Sequence, residues 1–359
     1  MKAVVAVAVL PAYRDFFLEE AVQRASAAGI DIDFCAGDAH IDPTVKTGSH
    51  PGLVRLANVG LMGRKLMYQR GISSAVRGAD VVVVDLNPRM LSAWLILLRG
   101  RVLGVRTLVW GHILPRKGES AKTVPLRRAM RRLARGVISY TWTDAGRVRT
   151  EDPDVPVWVA ANGLYPASDL GYADETPRDA ILYVGRMEKA KKPELLLEAF
   201  ALAADDLPAG TRLVFAGSGS ELEPLRQRAE DLAVGDRVEF LGYVGTYDRL
   251  KALYESSLMS VSPGYVGLSL TQSLGFGVPM IVADDEPHAP EVELFDESCG
   301  RWFTADSATA LATAMVSEAA SPRRDRDLLV ERVKRRYSSS AMADGFVDAL
   351  RGRRSSDDG

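Results

Sequence analysis

Two stretches of the chain concentrate groups able to hold an anion. Ser262–Pro279 reads SPGYVGLSLTQSLGFGVP: a short apolar run, a turn carrying Gly264 and Gly267, then a helical pattern from about Leu268. Glycines in such a turn let the main chain approach a ligand closely. Leu268 and Ser269 would present amides without a partner at the helix start, where an anion is welcome. Ser269 also suits a helix N-cap. The second stretch, ILYVGRMEKAKKPELLLEAFA, places Arg186, Lys189, Lys191 and Lys192 between a strand-like run and a helical one. An Arg fork and a Lys point charge suit a diphosphate; Lys189 and Lys192 read as solvated. A third strand–turn–helix unit, LVFAGSGSELEPL, carries Gly217 and Gly219. Cations and amides gathered at the carboxyl ends of strands would oppose negative charge growing on a leaving diphosphate, with no divalent metal required.

The elements that must position these groups alternate along the whole chain. Strands are predicted at 2–9, 31–35, 80–85, 106–110, 137–141 and 156–160, then at 180–184, 211–216, 237–241, 258–262 and 279–283. Helices fit between them, as at 15–28, 88–99, 125–135, 192–204, 220–232 and 268–276. Alternation of this kind implies parallel sheets covered on both faces, and it occurs twice. The fold class is therefore α/β, with a Rossmann-like doubly wound domain at 1–163, a linker at 164–178 rich in Gly, Pro, Asp and Ser, and a second such domain at 179–338. The segment 339–359 reads as a C-terminal helix returning to the first domain, followed by a frayed tail.

The first half offers fewer chemical groups. Tyr13 and Arg14 follow the first strand, and His112 follows the strand ending in Trp110, all at ligand-facing edges. In PLRRAMRRLARG, Arg127, Arg128, Arg131, Arg132 and Arg135 interleave with Leu126, Met130 and Leu133. That helical spacing reads as a solvated basic face or as a dock for anionic lipid. The Asp-x-Asp strings at Asp31–Asp33 and Asp152–Asp154 sit in a strand and beside a proline, and neither is expected to hold a metal.

Bulk properties narrow the class. The 359 residues carry 45 Lys and Arg against 47 Asp and Glu, and 47% are apolar. A near-neutral chain of this length suits a two-domain globular protein and argues against a dedicated nucleic-acid binder. The only cysteines, Cys35 and Cys299, lack any metal-ligand spacing and point to a reducing cytoplasm. The opening MKAVVAVAVLPAYR has one basic residue and an apolar run ending at Pro11, so it is expected as a buried strand rather than a signal peptide. No stretch has the roughly 20 apolar residues of a membrane span.

The three anion-binding segments, in this order and spacing, resemble the donor domain of family 4 retaining glycosyltransferases. Those enzymes have the GT-B fold, two Rossmann-like domains facing each other across a cleft. The family pattern of Gly-Arg, with Lys five residues on, falls on Gly185, Arg186 and Lys191; its Gly-x-Gly turn on Gly217 and Gly219; its Phe-Leu-Gly strand end on Phe240, Leu241 and Gly242. The resemblance implies that Arg186 and Lys191 grip the diphosphate, that Tyr243 lies near the base, and that Gly267, Leu268 and Ser269 give main-chain contacts to phosphate. It also implies metal-independent transfer with retention, from a UDP- or GDP-sugar co-substrate with no other cofactor. Residues 87–112 are similar to a bacterial surface-polysaccharide subset, which places His112 in the cleft as a catalytic group and Tyr13 and Arg14 near a glycan or lipid-linked acceptor. A cytoplasmic enzyme, peripheral on the inner membrane face through the 127–135 arginines, would fit such an acceptor.

One departure from the family is plain. Its two glutamates, eight positions apart, fall here on Gly264 and Gln272. Gln272 still accepts from ribose hydroxyls, without charge assistance. Gly264 cannot hold the sugar, so the contact is expected from Ala283–Glu293, with His288 and Glu291 foremost. Two alternatives stay open: a non-catalytic nucleotide-sugar-binding subunit, and a GT-B sugar-nucleotide 2-epimerase. A dinucleotide dehydrogenase is disfavoured because no G-x-G-x-x-G follows the first strand.

Overall fold

The computed structural model describes residues 1–38, 47–63, 65–115, 118–173, 176–321 and 324–353. The chain divides into two compact units. Unit 1 comprises Met1–Pro166 and Tyr337–Gly359, and unit 2 comprises Ala167–Arg336. The expected frayed tail lies, from residue 354, outside the described residues.

Unit 1 is a three-layer α/β domain. In chain order it holds β1 (Lys2–Val7), α1 (Asp15–Ala27), β2 (Asp31–Gly37), β3 (Val54–Leu61), β4 (Leu66–Arg70), α2 (Ile72–Ala75), β5 (Val81–Asp85), α3 (Leu91–Leu103), β6 (Arg106–Trp110), α4 (Val124–Leu133), β7 (Val137–Ser139), α5 (Trp142–Glu151) and β8 (Val157–Val159). The strand order is β4-β3-β2-β1-β5-β6-β7-β8. Every pairing is parallel except β3 with β4, a hairpin absent from the sequence reading. β1 and β5 are central and their Val and Ala side chains are buried on both faces, which is what their uninterrupted apolar runs require.

Unit 2 follows with β9 (Ala180–Val184), α6 (Pro193–Ala203), β10 (Arg212–Ala216), α7 (Leu222–Asp231), β11 (Val238–Gly242), α8 (Tyr247–Glu255), β12 (Ser257–Ser262), α9 (Ser269–Gly275), β13 (Met280–Ala283), β14 (Gly300–Phe303), α10 (Ala308–Ala320) and α11 (Arg326–Arg336). Its sheet is parallel throughout, in the order β11-β10-β9-β12-β13-β14. In both sheets the strand order reverses beside the first strand, between β1 and β5 and between β9 and β12. Such reversals leave a crevice at the carboxyl edge where ligands of open α/β sheets bind.

The chain ends with α12 (Ser339–Arg351), which packs against α1 and β8. Met342, Phe346, Val347 and Leu350 enter the unit 1 core with Phe17, Phe34 and Trp110. The Phe346 ring lies 4.9 Å from Trp110 and 5.4 Å from Phe17. Burying four such side chains contributes roughly 6–12 kcal/mol as an upper bound. That is comparable with the whole stability of an ordinary domain, about 5–15 kcal/mol. Unit 1 is therefore not complete without a segment more than 170 residues downstream of β8.

Candidate active site

The carboxyl edge of the unit 2 sheet is built from three interlocked turns. The turn after β9 carries Gly185, Arg186 and Lys191. The turn after β10 lies against it so closely that a Cβ on Gly217 would stand 1.8 Å from the Gly185 carbonyl oxygen, and one on Gly219 would stand 2.2 Å from that of Met187. Main-chain bonds lace the two together: Met187 N–H donates to Ser218 at 2.9 Å and Glu221 N–H to Met187 at 2.9 Å. From the other side the turn after β12 brings Gly264 to the same segment, where a Cβ would meet the Ala190 oxygen at 2.9 Å. The basic stretch 185–191 is thus gripped between two glycine-bearing turns. These glycines serve turn-on-turn packing, whereas the sequence reading gave Gly264 to close approach of the main chain to a ligand.

Within that grip the cations are held ready. Lys191 Nζ donates to the Tyr265 carbonyl at 2.6 Å and lies 4.1 Å from the centre of the Tyr265 ring. Arg186 is exposed and pairs with Glu188 at 3.1 Å. An exposed pair of this kind is worth little, so a phosphate can displace Glu188. Tyr183 props the turn, its hydroxyl donating to the Arg186 carbonyl at 2.8 Å. Burial raises the Tyr183 phenol, which therefore remains a protonated donor. Lys192 is not solvated as expected: its ammonium bonds Glu286 and Asp306. Lys189 is exposed.

The turn after β12 supplies amides. Among the described residues, no protein acceptor meets the N–H groups of Gly267, Leu268 and Ser269. Leu268, not Ser269, occupies the N-cap of α9, and no side chain caps it. Gln272 lies half-buried one turn along α9. Tyr243 follows β11, two strands away from β9, and is 79% exposed. His288, expected to meet a sugar, instead braces the turn. Its Nδ1 accepts from Val266 N–H at 3.1 Å and its Nε2 donates to the Ala283 carbonyl at 2.9 Å, so both ring nitrogens are occupied. Glu291 is buried in the turn Pro290–Leu294.

The carboxyl edge of unit 1 is filled by side chains. Arg14 is buried, donates to Tyr140 Oη at 2.8 Å and Asn162 Oδ1 at 3.1 Å, and stacks 4.6 Å over Trp110. It pins the loops after β1, β7 and β8, so it is not the free acceptor ligand expected from the sequence; neighbouring Tyr13 is exposed. The His112 ring packs 4.7 Å from Tyr140. Burial, reinforced by Arg127 and Arg14, pushes its pKa down to about 4, so it is a neutral hydrogen-bonding group at pH 7. Asp85, at the end of β5, accepts from Ala8 N–H at 2.5 Å, and burial lifts its carboxyl to about 6. Asp85, Tyr140 and Asn162 escaped the sequence reading, although Asp85 ends its strand and the other two follow theirs at the same edge as His112. A cavity of about 760 Å³ in this unit lies elsewhere, along α1, β2 and residues 49–53, and no predicted site residue lines it.

The α4 arginines are largely engaged inside unit 1. Arg127 reaches under the sheet edge to the carbonyls of Leu86 and His112, at 2.6 and 2.7 Å. Arg131 is buried and pairs with Glu151 and Asp152, and Arg128 and Arg132 also meet Asp152. Only Arg135 is exposed with no ion pair among the described residues. The uniform basic face expected from helical spacing does not exist. The two Asp-x-Asp strings are likewise engaged, Asp33 by Lys2 and Asp152 by the arginines. Among the described residues, no group of three or more His, Cys, Asp or Glu could hold a metal ion. Nor is any helix among them long and apolar enough to cross a membrane. Cys35 and Cys299 are buried free thiols.

Solved structures share this fold over nearly the whole chain. The Anabaena protein HepE in complex with UDP superposes with a TM-score of 0.72 at 13% identity, covering 98% of this chain and 100% of that one. The lipopolysaccharide outer core galactosyltransferase WaaB gives 0.69 at 12% identity, over 98% and 99%. The fold is GT-B. Residues 173–333, most of unit 2, match the family of glycosyl transferases, group 1. A GDP-mannose-dependent alpha-(1-6)-phosphatidylinositol dimannoside mannosyltransferase of Mycobacterium tuberculosis is 26% identical over 74% of this chain and 75% of its own. A D-inositol 3-phosphate glycosyltransferase of Mycobacteroides abscessus is 31% identical over 41% of this chain and 34% of its own. The second unit thus matches a glycosyl transferase family, and the whole chain has the GT-B fold of glycosyltransferases.

Proposed function

We propose that the protein takes a nucleoside-diphosphate sugar at the carboxyl edge of unit 2 and passes its hexosyl group, with retention, to a hydroxyl of a glycan or lipid-linked acceptor. The observation that carries this is the basic turn 185–191, clamped between the Gly217–Gly219 and Gly264 turns, the second of which leads into the unpartnered amides of Gly267–Ser269. Cleavage of a glycosyl–diphosphate bond leaves negative charge on the diphosphate and positive charge on the sugar. Arg186, Lys191 and the three amides oppose the first, and because the turn is fixed they need little reorganisation to do so. Tyr243 lies near the base, and Gln272 accepts from ribose. His112, neutral beside Arg127, is the unit 1 side chain taken to serve the reaction as an uncharged hydrogen-bonding group. The relative acting on a phosphatidylinositol dimannoside supports a lipid-linked acceptor, and its use of GDP-mannose makes GDP-sugars the first donors to try.

Calorimetric titration with UDP, GDP and their sugars tests this reading, together with release of free sugar and its anomeric configuration by NMR. Tight binding of one nucleotide, slow hydrolysis and a retained anomer are expected. Absence of any nucleotide binding would overturn the reading. A non-catalytic nucleotide-sugar subunit is the second reading, because the Gly264 turn has no room for the family's carboxylate. Binding without hydrolysis or transfer across acceptors would select it.

A further inference from the structure

We propose that Lys192, with Glu286 and Asp306, forms an ionic clasp that fixes the basic turn 185–191 around a diphosphate, a role that rests on the donor reading above. Lys192 is a positioning residue: its ammonium is taken up by the two carboxylates, and the neighbouring Lys191 and Arg186 meet the ligand.

The main chain marks the clasp. Among the described residues, the non-glycines with positive φ are Met62, Lys192, Ala233 and Asp306. Lys192 adopts φ +51° and ψ +44° at the N-cap of α6, directly before Pro193. A residue with a Cβ avoids that region, and a following proline pushes it toward extended backbone instead. Asp306 adopts φ +60°. These two residues are partners, for Lys192 Nζ donates to Asp306 Oδ1 at 2.5 Å and to Glu286 as well. Both ends of one ion pair therefore carry left-handed backbone, which glycine would adopt freely. Strain of this kind gathers at ligand clamps. The Glu286 side chain is only 9% exposed, so the cluster is not an ordinary surface pair of little consequence.

Its place in the sheet gives it purpose. The strands run β9-β12-β13-β14 on this side. Lys191 ties the turn after β9 to the turn after β12 through the Tyr265 carbonyl, at 2.6 Å. Lys192, the next residue, reaches past that turn to Glu286 after β13 and Asp306 after β14. Those two loops are already joined, since Asp284 N–H donates to the Phe303 carbonyl and Ala305 N–H to Asp284 Oδ1, both at 2.9 Å. Two consecutive lysines thus fasten the basic turn to the ends of all three neighbouring strands. Glu286 is also linked to the His288 brace, its carbonyl accepting from His288 N–H at 2.7 Å. Charge adds a second effect. Left alone, Glu286 and Asp306 would put like charge at the edge where a diphosphate binds, and Lys192 offsets it. The hydrogen bonds to Asp306 and Glu286 raise the pKa of Lys192, which stays charged.

Calorimetric titration of the full chain with UDP, GDP, UMP and GMP tests the clasp. The quantity read is the ratio of monophosphate Kd to diphosphate Kd for the base that binds, which is the gain from the second phosphate. Lys192→Gly and Lys192→Asn both accept the left-handed backbone and remove the ammonium. Each should lower the ratio about tenfold, and Lys192→Arg, which still reaches both carboxylates, should keep it near the native value. If one of the first two variants fails to fold, the other carries the test. A general weakening of unit 2 would loosen both nucleotides equally and leave the ratio unchanged. An unchanged ratio in the Gly and Asn variants, or one lowered equally in Lys192→Arg, overturns the clasp. A native chain that binds no nucleotide refutes the donor reading and the clasp with it. A native chain that prefers the diphosphate whatever stands at position 192 refutes the clasp alone.

Discussion

The two carboxyl edges have the same strand reversal and opposite contents. In unit 2 the crevice is made of main chain, with glycines at Gly217, Gly219 and Gly264 letting three turns touch and with Arg186 left in water. In unit 1 it is made of side chains, with Arg14, Trp110, Tyr140 and Asn162 locked together. One edge presents fixed amides and available cations to a charged ligand. The other buries a cation among aromatics and keeps His112 neutral beside it. The contrast teaches that a doubly wound scaffold leaves its crevice chemistry to the few residues after each strand.

The largest effect should come from removing the unit 2 cations. Arg186→Ala or Lys191→Ala should lower turnover by roughly a hundredfold to a thousandfold and weaken donor binding, with circular dichroism unchanged. Unchanged turnover in both would erase the difference drawn between the edges.

The unit 1 edge is tested by pH. The Asp85 carboxyl is lifted by burial from 3.8 unfolded to about 6 folded, so between these values the native state holds a proton the unfolded chain has lost. Stability from this group therefore falls as pH rises through that window. Asp85→Asn should remove the fall, raising stability above pH 6 by at most about 3 kcal/mol and changing little near pH 4. His112 acts in the opposite sense, its pKa moving from 6.5 down to about 4 on folding, so its contribution is lost as pH falls through that range. Thermal melts against pH should show the two slopes opposing one another in the native protein and only the His112 slope in the variant.

Gly264→Glu, which places a carboxylate where the resemblance implies one, should not create a sugar contact here. Its Cβ would sit 2.9 Å from the Ala190 oxygen and 3.0 Å from the Lys191 carbonyl carbon. Unit 2 should lose about 1–3 kcal/mol, and the donor KM should rise as the basic turn shifts. Faster turnover with an unchanged melting temperature would show that the turns are less tightly interlocked than their geometry implies. Smallest of all, His288→Ala should cost about 1 kcal/mol through the lost Val266 acceptor. It should weaken free nucleotide binding several-fold while sparing kcat; a ring that touched the sugar would show the reverse.

The central strands are legible in the sequence because they are apolar on both faces, as in VVVVD of β5 and AILYV of β9. The β3–β4 hairpin is not, because polar side chains point inward there: Asn58 Nδ2 donates to the Ala8 carbonyl at 2.8 Å and Gln69 Nε2 to that of Val7 at 2.8 Å. Hydrophobic periodicity is blind to such a strand. The same limit explains α4. Helical spacing reveals which face Arg131 shares with its neighbours, but Glu151 and Asp152, which neutralise it, arrive from the end of α5. The Gly-Arg and Lys pattern of the donor turn is legible because it is local. The His288 brace is hidden because it depends on a main-chain amide 22 residues away.

The return of α12 to unit 1 gives the order of events during synthesis. Unit 2 is one continuous stretch and can close as soon as Arg336 has left the ribosome. Unit 1 emerges first yet lacks Phe346 and Leu350 until all of unit 2 has been made, so its apolar pocket around Phe17 and Trp110 must wait. The nascent chain thus inverts the usual N-to-C sequence of folding, and its first half is the part that calls for chaperone shelter while translation proceeds.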